Sequence, residues 1–156
     1  MVNWTDHGAI PVAGANGANG GKGIAKWAGA SWAPSAAVKK KSMGRINFSF
    51  ISQTAAEGIG VLTADSPIGP WTDPIGKALV TPNTPGMSGV VWLFDPAVFV
   101  DDDGAGYLYA GGGVPGGSNP TQGQWANPKT ARVLKLGPDM TSVASSASTI
   151  DAPFYV

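Results

Sequence analysis

The sequence predicts an all-β chain made of four-stranded antiparallel units set side by side as blades of a β-propeller. Three observations predict it. First, the chain of 156 residues holds 23 glycines and 13 prolines and is only 13% charged, a balance that favours many turns and few long helices. Second, its apolar residues fall in short runs bounded by Gly, Pro and Asp rather than in helical periods. Third, it repeats itself weakly. Trp4-Thr5-Asp6 returns as Trp71-Thr72-Asp73 after 67 positions, and Trp32-Ala33-Pro34-Ser35-Ala36 returns as Phe94-Asp95-Pro96-Ala97-Val98 after 62. Each copy then runs strand, turn, strand, turn, strand, turn and a Trp-containing edge, which is how a propeller blade is laid out. A two-sheet sandwich is the alternative, disfavoured because the units match in order.

Val2 to Ile10 is expected to be a strand edge and turn centred on Trp4-Thr5-Asp6. Pro11 to Gly23 is rich in Gly, Ala and Asn and reads as an irregular loop. It lacks the Lys-Ser/Thr and the strand-to-helix context of a phosphate-binding loop. Ser35 to Val38 reads as a short strand, Lys39 to Gly44 as a basic turn, and Arg45 to Ser52 as the returning strand with an imperfect period of two. The three lysines are expected to be a solvated turn that discourages edge pairing. Gln53 to Gly58 is a turn and Ile59 to Ala64 a third strand. Asp65-Ser66-Pro67-Ile68-Gly69-Pro70 is a strong turn signal, followed by an edge strand, Trp71 to Pro74. Gly76 to Gly89 is irregular.

A hairpin follows. Ala97 to Val100 is a short apolar run, expected to be covered on both faces. Asp101 to Gly106 is its polar turn, in which Asp101, Asp102 and Asp103 are turn formers. Tyr107 to Ala110 returns as an aromatic-rich strand. Pro115 to Lys129 reads as a long polar loop, Thr130 to Leu136 as a strand and Gly137 to Met140 as a turn. Thr141 to Thr149 carries little signal, and Ile150 to Val156 reads as another strand entry. Trp4, Trp27 and Trp71 are expected in blade packing.

Asp95 stands at the mouth of the hairpin, between Phe94 and Pro96 and three residues after Trp92. Pro96 should hold it extended. An acid entering an apolar strand must be hydrogen-bonded or have its titration disturbed, so Asp95 is either a site residue or a structural acceptor of backbone N–H groups.

The net formal charge is zero, which gives no reason to invoke nucleic acid or an acidic membrane as partner. The lack of cysteine excludes disulfides and thiolate metal sites. His7 alone cannot build a histidine metal site, and no cofactor is expected. Met1 to Trp4 lacks the basic start and apolar core of a signal peptide, and no stretch reaches the roughly 18 apolar residues of a membrane span. The chain as read is expected to be soluble and unexported.

The chain resembles the five-bladed propellers of glycoside hydrolase family 43, of the α-L-arabinofuranosidase and β-xylosidase type. The segments that carry the resemblance are Trp4-Thr5-Asp6-His7-Gly8, Trp32-Ala33-Pro34-Ser35, Ile59-Gly60-Val61 through Gly69-Pro70-Trp71-Thr72-Asp73, Phe94-Asp95-Pro96-Ala97-Val98-Phe99, Asp101-Asp102-Asp103-Gly104 with Tyr107-Leu108-Tyr109, and Ile150-Asp151-Ala152-Pro153. They run in the family's order along nearly the whole chain.

The resemblance implies hydrolysis with inversion. A carboxylate base activates water and a carboxylic acid protonates the leaving oxygen, the pair roughly 6.5–9.5 Å apart. A third acid orients the general acid and raises its pKa, and Asp95 falls on that position. The family's base lies upstream of a segment like Trp4-Thr5-Asp6, and its acid is a glutamate expected just beyond Val156. Asp151 is the candidate substitute for that acid. Asp6 has a structural reading through its repeat partner Asp73. Members often hold a cation near the axis, with its histidine ligand in later blades; no dedicated metal site is expected here.

The chain is therefore expected to be about half of a five-bladed propeller. Residues 1–23 would be the edge of a first blade, 24–75 a second, 90–146 a third and 147–156 the start of the next. The expected partner is a hemicellulose-derived oligosaccharide, held on Trp32, Trp92 and Phe94, with Trp125 a further aromatic candidate. The expected function is that of a fragment of an inverting arabinofuranosidase or xylosidase, inactive alone because base and acid are missing. The alternative is an active or carbohydrate-binding homo-oligomer that completes the site between copies. Two blades leave open edges and faces, so self-association is expected in either case.

Overall fold

The computed structural model describes residues 3–41, 44–52, 58–151 and 153. Its regular structure is two antiparallel sheets formed in chain order. The first is β1 (Trp32–Lys41), β2 (Gly44–Ser52) and β3 (Ile59–Ala64). The second is β4 (Ala97–Val100), β5 (Gly106–Ala110), β6 (Arg132–Lys135) and β7 (Ser148–Thr149), with one short helix, α1 (Gln122–Ala126), between β5 and β6.

Side-chain alternation builds the core. Phe48 and Phe50 of β2 and Ile59 and Val61 of β3 point to one face of the first sheet. Leu108 and Ala110 of β5 and Leu134 of β6 point back at them from the second sheet, with Val80, Met87, Leu93, Leu136 and Met140 filling the space between. Burying each large side chain stabilises the pair of sheets by about 1.5–3 kcal/mol. The period of two in β2 is imperfect for a reason. Ile51 faces the other way and joins Ala25, Ala28, Val12 and Trp27 in a second, smaller cluster behind the sheet. Trp27 lies against β3 at Gly60, where a Cβ would stand 2.5 Å from the indole ring. Its Nε1 donates to the Asp73 carboxylate at 2.9 Å, which ties the chain entering β1 to the edge beyond β3. Gly106 plays the same part in the second sheet, because a Cβ there would meet the Met140 sulfur at 2.2 Å.

The two sheets touch along their first strands, β1 and β4. Ser35 Oγ accepts the Val98 N–H at 3.1 Å, and Lys39 Nζ donates to the Pro138 carbonyl at 2.9 Å.

The sequence-based expectations hold for the bounds of β3 and β4, and several others change. Lys39 to Lys41 belong to β1 rather than to a turn, because they pair with Gly44 to Ile46. The tip at Ser42 and Met43, most of the expected Gln53–Gly58 turn and most of the final strand entry lie outside the described residues. The edge strand at Trp71 to Pro74 is reduced to one bridge, Thr63 to Thr72, so the first sheet has three full strands. Trp4-Thr5-Asp6 pairs with no described strand, and Trp4 is 79% exposed instead of packed. Asp6 closes a small turn by accepting the Gly8 N–H at 2.8 Å, as Asp73 accepts Ile75 N–H at 3.2 Å.

Ala97 to Val100 is not covered on both faces. Val98 and Val100 pack on the core, but Ala97 and Phe99 are exposed, Phe99 by 52%. A run of four apolar residues cannot say whether its second face has a neighbour. The expected polar loop, Pro115 to Lys129, contains α1, closed by a capping box. Thr121 Oγ1 accepts Gln124 N–H, and the Gln124 side chain accepts Thr121 N–H.

Candidate functional site

The starts of the two innermost strands come together. Trp32 opens β1, and Phe94-Asp95-Pro96 leads into β4. Phe94 meets Trp32 edge to face at 6.2 Å between ring centroids, and stacks on Trp92 at 5.8 Å with 22° between planes. Such pairs contribute about 0.5–1.5 kcal/mol beyond their buried area. Phe94 is half-buried between its neighbours, whereas Trp32 and Trp92 are 49% and 52% exposed. The two indoles therefore offer free apolar surface to a ligand, and Phe94 spaces them.

Asp95 follows this aromatic row. Its side chain is exposed, and no described group donates a hydrogen bond to it. That removes the reading of Asp95 as an acceptor of backbone N–H groups within the described residues. Nor is it extended as Pro96 implies. Its φ is +51°, in the left-handed region, which an Asp before proline occupies only under constraint. The constraint is visible on both sides. Phe94 is wedged between two indoles while its carbonyl accepts Gly111 N–H at 3.3 Å, and Pro96 is buried. Strain of this sort costs on the order of 1–3 kcal/mol and is concentrated at functional positions.

The other candidate acids are engaged elsewhere. Asp151 is exposed and hydrogen-bonded by the Asn127 side-chain amide. Asp6 is held in its own turn. Asp101, Asp102 and Asp103 form the β4–β5 turn, where Asp101 Oδ1 accepts Asp102 N–H and Asp103 Oδ1 accepts Ala105 N–H. Among the described residues no three His, Cys, Asp or Glu side chains gather, and His7 is exposed. The donors among the described residues do not form a set that would hold the cation that the family resemblance implies.

Beside Trp92 lies a cavity of about 740 Å³, walled on another side by Trp125 of α1. Sequence reasoning singled out Trp125 as an aromatic but had no means of pairing it with Trp92, because the pairing depends on the loop that carries α1.

Comparison with known proteins gives this arrangement a context. The chain is 84% identical over 154 residues to the arabinoxylan arabinofuranohydrolase of Bacillus subtilis (strain 168), covering 99% of itself and 30% of that protein. Its backbone matches the crystal structure of a glycoside hydrolase family 43 arabinoxylan arabinofuranohydrolase from Bacillus subtilis in complex with cellotetraose, with a TM-score of 0.95, 84% identity, and coverage of 98% of this chain and 31% of that one. It also matches an α-L-arabinofuranosidase from Clostridium thermocellum, with a TM-score of 0.72, 38% identity, and coverage of 97% of this chain and 42% of that one. The chain thus spans less than half the length of each of these relatives. Its two antiparallel sheets are a partial segment of their propeller fold. Residues 1–155 match the model described as glycosyl hydrolases family 43, and the chain belongs to that family.

Proposed function

We propose that the chain is a segment of an inverting glycosidase that hydrolyses terminal α-L-arabinofuranosyl or β-xylosyl linkages of plant hemicellulose. In this reading Asp95 is the acid that orients a general acid, and Trp32 and Trp92, spaced by Phe94, hold the sugar. The observation that carries the reading is Asp95 itself: a strained, exposed carboxylate without a described hydrogen-bond partner, next to a row of three aromatic rings. A negative charge at this place favours the protonated form of a neighbouring carboxylic acid, which is the form that donates to a leaving oxygen. The exposed indoles suit the apolar faces of sugar rings. The names of the relatives support the same class of substrate.

The chain alone is proposed to be inactive. Inversion needs a base and an acid roughly 6.5–9.5 Å apart, with room for water between them. Asp6 and Asp151 are committed to Gly8 and Asn127, and Glu57, the single glutamate of the sequence, lies outside the described residues. The purified chain should give no turnover of aryl α-L-arabinofuranosides or β-xylosides above background. Steady turnover that is independent of protein concentration would overturn this.

A second reading is a homo-oligomer that completes the site between copies. The exposed face of the second sheet favours it, with Ala97, Phe99 and Tyr109 turned outward side by side. Self-association through this face predicts a particle mass above the monomer by light scattering. If the assembly is active, activity falls on dilution and disappears in Asp95→Ala. Titration with arabinoxylan oligosaccharides, followed by tryptophan fluorescence, tests binding in either case.

A further inference from the structure

Just beyond β5 the chain runs through three glycines, Gly111-Gly112-Gly113, that lie alongside Trp92 to Phe94 and are tied to them twice. Trp92 N–H donates to the Gly112 carbonyl at 3.1 Å, and Gly111 N–H donates to the Phe94 carbonyl at 3.3 Å. Two of the three positions have no room for a side chain. Gly111 has φ +89°, and a Cβ there would stand 2.9 Å from both the Thr130 carbonyl oxygen and Val90 Cγ1. Gly113 has φ +81°, and a Cβ there would stand 2.9 Å from Val91 Cβ and 3.1 Å from Trp92 Cδ2, within the indole itself. A Cβ at Gly112 would meet nothing within 4 Å. Left-handed backbone also disfavours any L side chain, so conformation and contact demand glycine at the same two places.

Thr130 braces both of those glycines. Its hydroxyl donates to the Gly113 carbonyl at 2.6 Å, and its own carbonyl is the oxygen against which Gly111 packs. Thr130 is 2% exposed, so packing as well as this bond fixes its hydroxyl. Trp92 is held at fewer points. Half of it is exposed, Phe94 stacks on it at 5.8 Å, and Gly113 abuts its Cδ2. A half-exposed ring with so few supports takes its angle from them, and a ligand-facing side chain is only as well placed as the groups that back it.

We propose that Thr130 is a positioning residue for the aromatic row: its hydroxyl holds the Gly113 backbone, and Gly113, having no side chain, seats the Trp92 indole against Phe94. That the indole so placed serves a sugar rests on the glycosidase reading above; the seating itself does not.

The test follows the indole N–H resonances of the six tryptophans in the isotope-labelled full chain, with that of Trp92 assigned by its absence from Trp92→Phe. Calorimetric titration with xylotetraose accompanies it. Thr130→Val, which keeps the branched shape and removes the hydroxyl, and Gly113→Ala should each shift the Trp92 resonance. That of Trp27, bonded to Asp73, should stay in place. Thr130→Ser, which restores the hydroxyl, should return Trp92 close to its parent position, and Gly112→Ala should shift it least. Xylotetraose affinity should fall by about tenfold in Thr130→Val and recover in Thr130→Ser. Should Thr130→Val or Gly113→Ala fail to fold, the other carries the test. The proposal fails if the Trp92 resonance does not move in them, or if Thr130→Ser moves it as far as Thr130→Val does. It fails equally if all six resonances shift alike, which would mark a general loosening of the fold. A shifted Trp92 with xylotetraose binding unchanged, or absent from the parent, would count against the glycosidase reading alone.

Discussion

Ser35 Oγ accepts the backbone N–H of Val98 at 3.1 Å, across 63 positions of sequence. The bond links β1 to β4 where the two sheets meet, close to the aromatic row. Val98 is half-buried and packs on the core, so its N–H has little access to water once the hydroxyl is gone. Ser35→Ala should therefore cost about 1–2 kcal/mol of stability. Ser35→Thr, which keeps the oxygen on a strand-favouring side chain, should cost less. Urea unfolding of the three proteins measures both.

Asp95 should show a trade between stability and function. Glycine occupies the left-handed region without a Cβ penalty, so Asp95→Gly should stabilise the chain by about 1 kcal/mol, despite the added freedom of the unfolded state. Asp95→Asn, which tolerates the same φ, should leave stability nearly unchanged. Both remove the negative charge that the proposed role needs. Thermal melts of the isolated chain read the first effect. Activity in a complete enzyme with these residues transplanted reads the second, and should drop for both variants.

The aromatic row was legible because the repeat places Trp32 and Phe94 at equivalent points, each three residues before the Ser35 or Ala97 of an innermost strand. The strands were legible where apolar runs were bounded by turn residues, as at Ile59–Ala64. What was not legible came from elsewhere in the chain. The rule for residues before proline points Asp95 to an extended conformation, and the packing of Phe94 and Pro96 overrides it. Helix α1 has no apolar period, having one large apolar side chain, Trp125. Its local signal was Thr121 with Gln124 three residues on, a capping box that periodicity alone passes over. The exposure of Phe99 could not be read from β4, since a strand's own residues do not reveal what covers its second face.

Asp139 adds a pH dependence. Its carboxylate accepts the Ser142 hydroxyl at 2.7 Å and the Thr141 N–H at 3.0 Å. The Ser142 hydroxyl foremost holds its pKa below the usual carboxylate value, against an opposing effect of burial, with the Thr141 N–H adding to the lowering. A carboxylate depressed in the folded state binds protons more readily when unfolded. Its contribution is thus present above the unfolded pKa, near 4, and is lost as pH falls through the lower folded value. The group is exposed, so the effect is small. Ser142→Ala should destabilise slightly at neutral pH, and its difference from the parent should shrink as the pH drops below about 4. Unfolding midpoints measured from pH 7 to pH 2 would show whether the two curves converge as expected or stay parallel.

Arg132 should prove the costliest polar side chain to remove. It is 4% exposed and pairs with no described carboxylate. Instead it binds carbonyls: Nε donates to Gly86 at 2.9 Å, Nη2 to Ser88 at 2.5 Å, and Nη1 to Lys129 and Ala131 at 2.8 and 3.0 Å. The planar fork of the guanidinium satisfies all four, which an ammonium on a shorter stem cannot do. Gly86 and Ser88 belong to the segment that runs into Trp92, Phe94 and Asp95, while Lys129 and Ala131 line the neighbouring cavity. One side chain therefore fixes both the approach to the aromatic row and the wall beside it. Arg132→Met should cost about 3 kcal/mol, because it leaves the Gly86, Ser88 and Lys129 carbonyls without this donor, while Ala131 keeps the Ile150 N–H at 3.0 Å. Arg132→Lys should recover only part of that. If Arg132 positions the site as well as stabilising the fold, hydrogen exchange at Val90 and Trp92 should accelerate in Arg132→Lys well before global unfolding, while β2 and β3 stay protected. Uniform acceleration across both sheets would instead assign Arg132 to global stability alone.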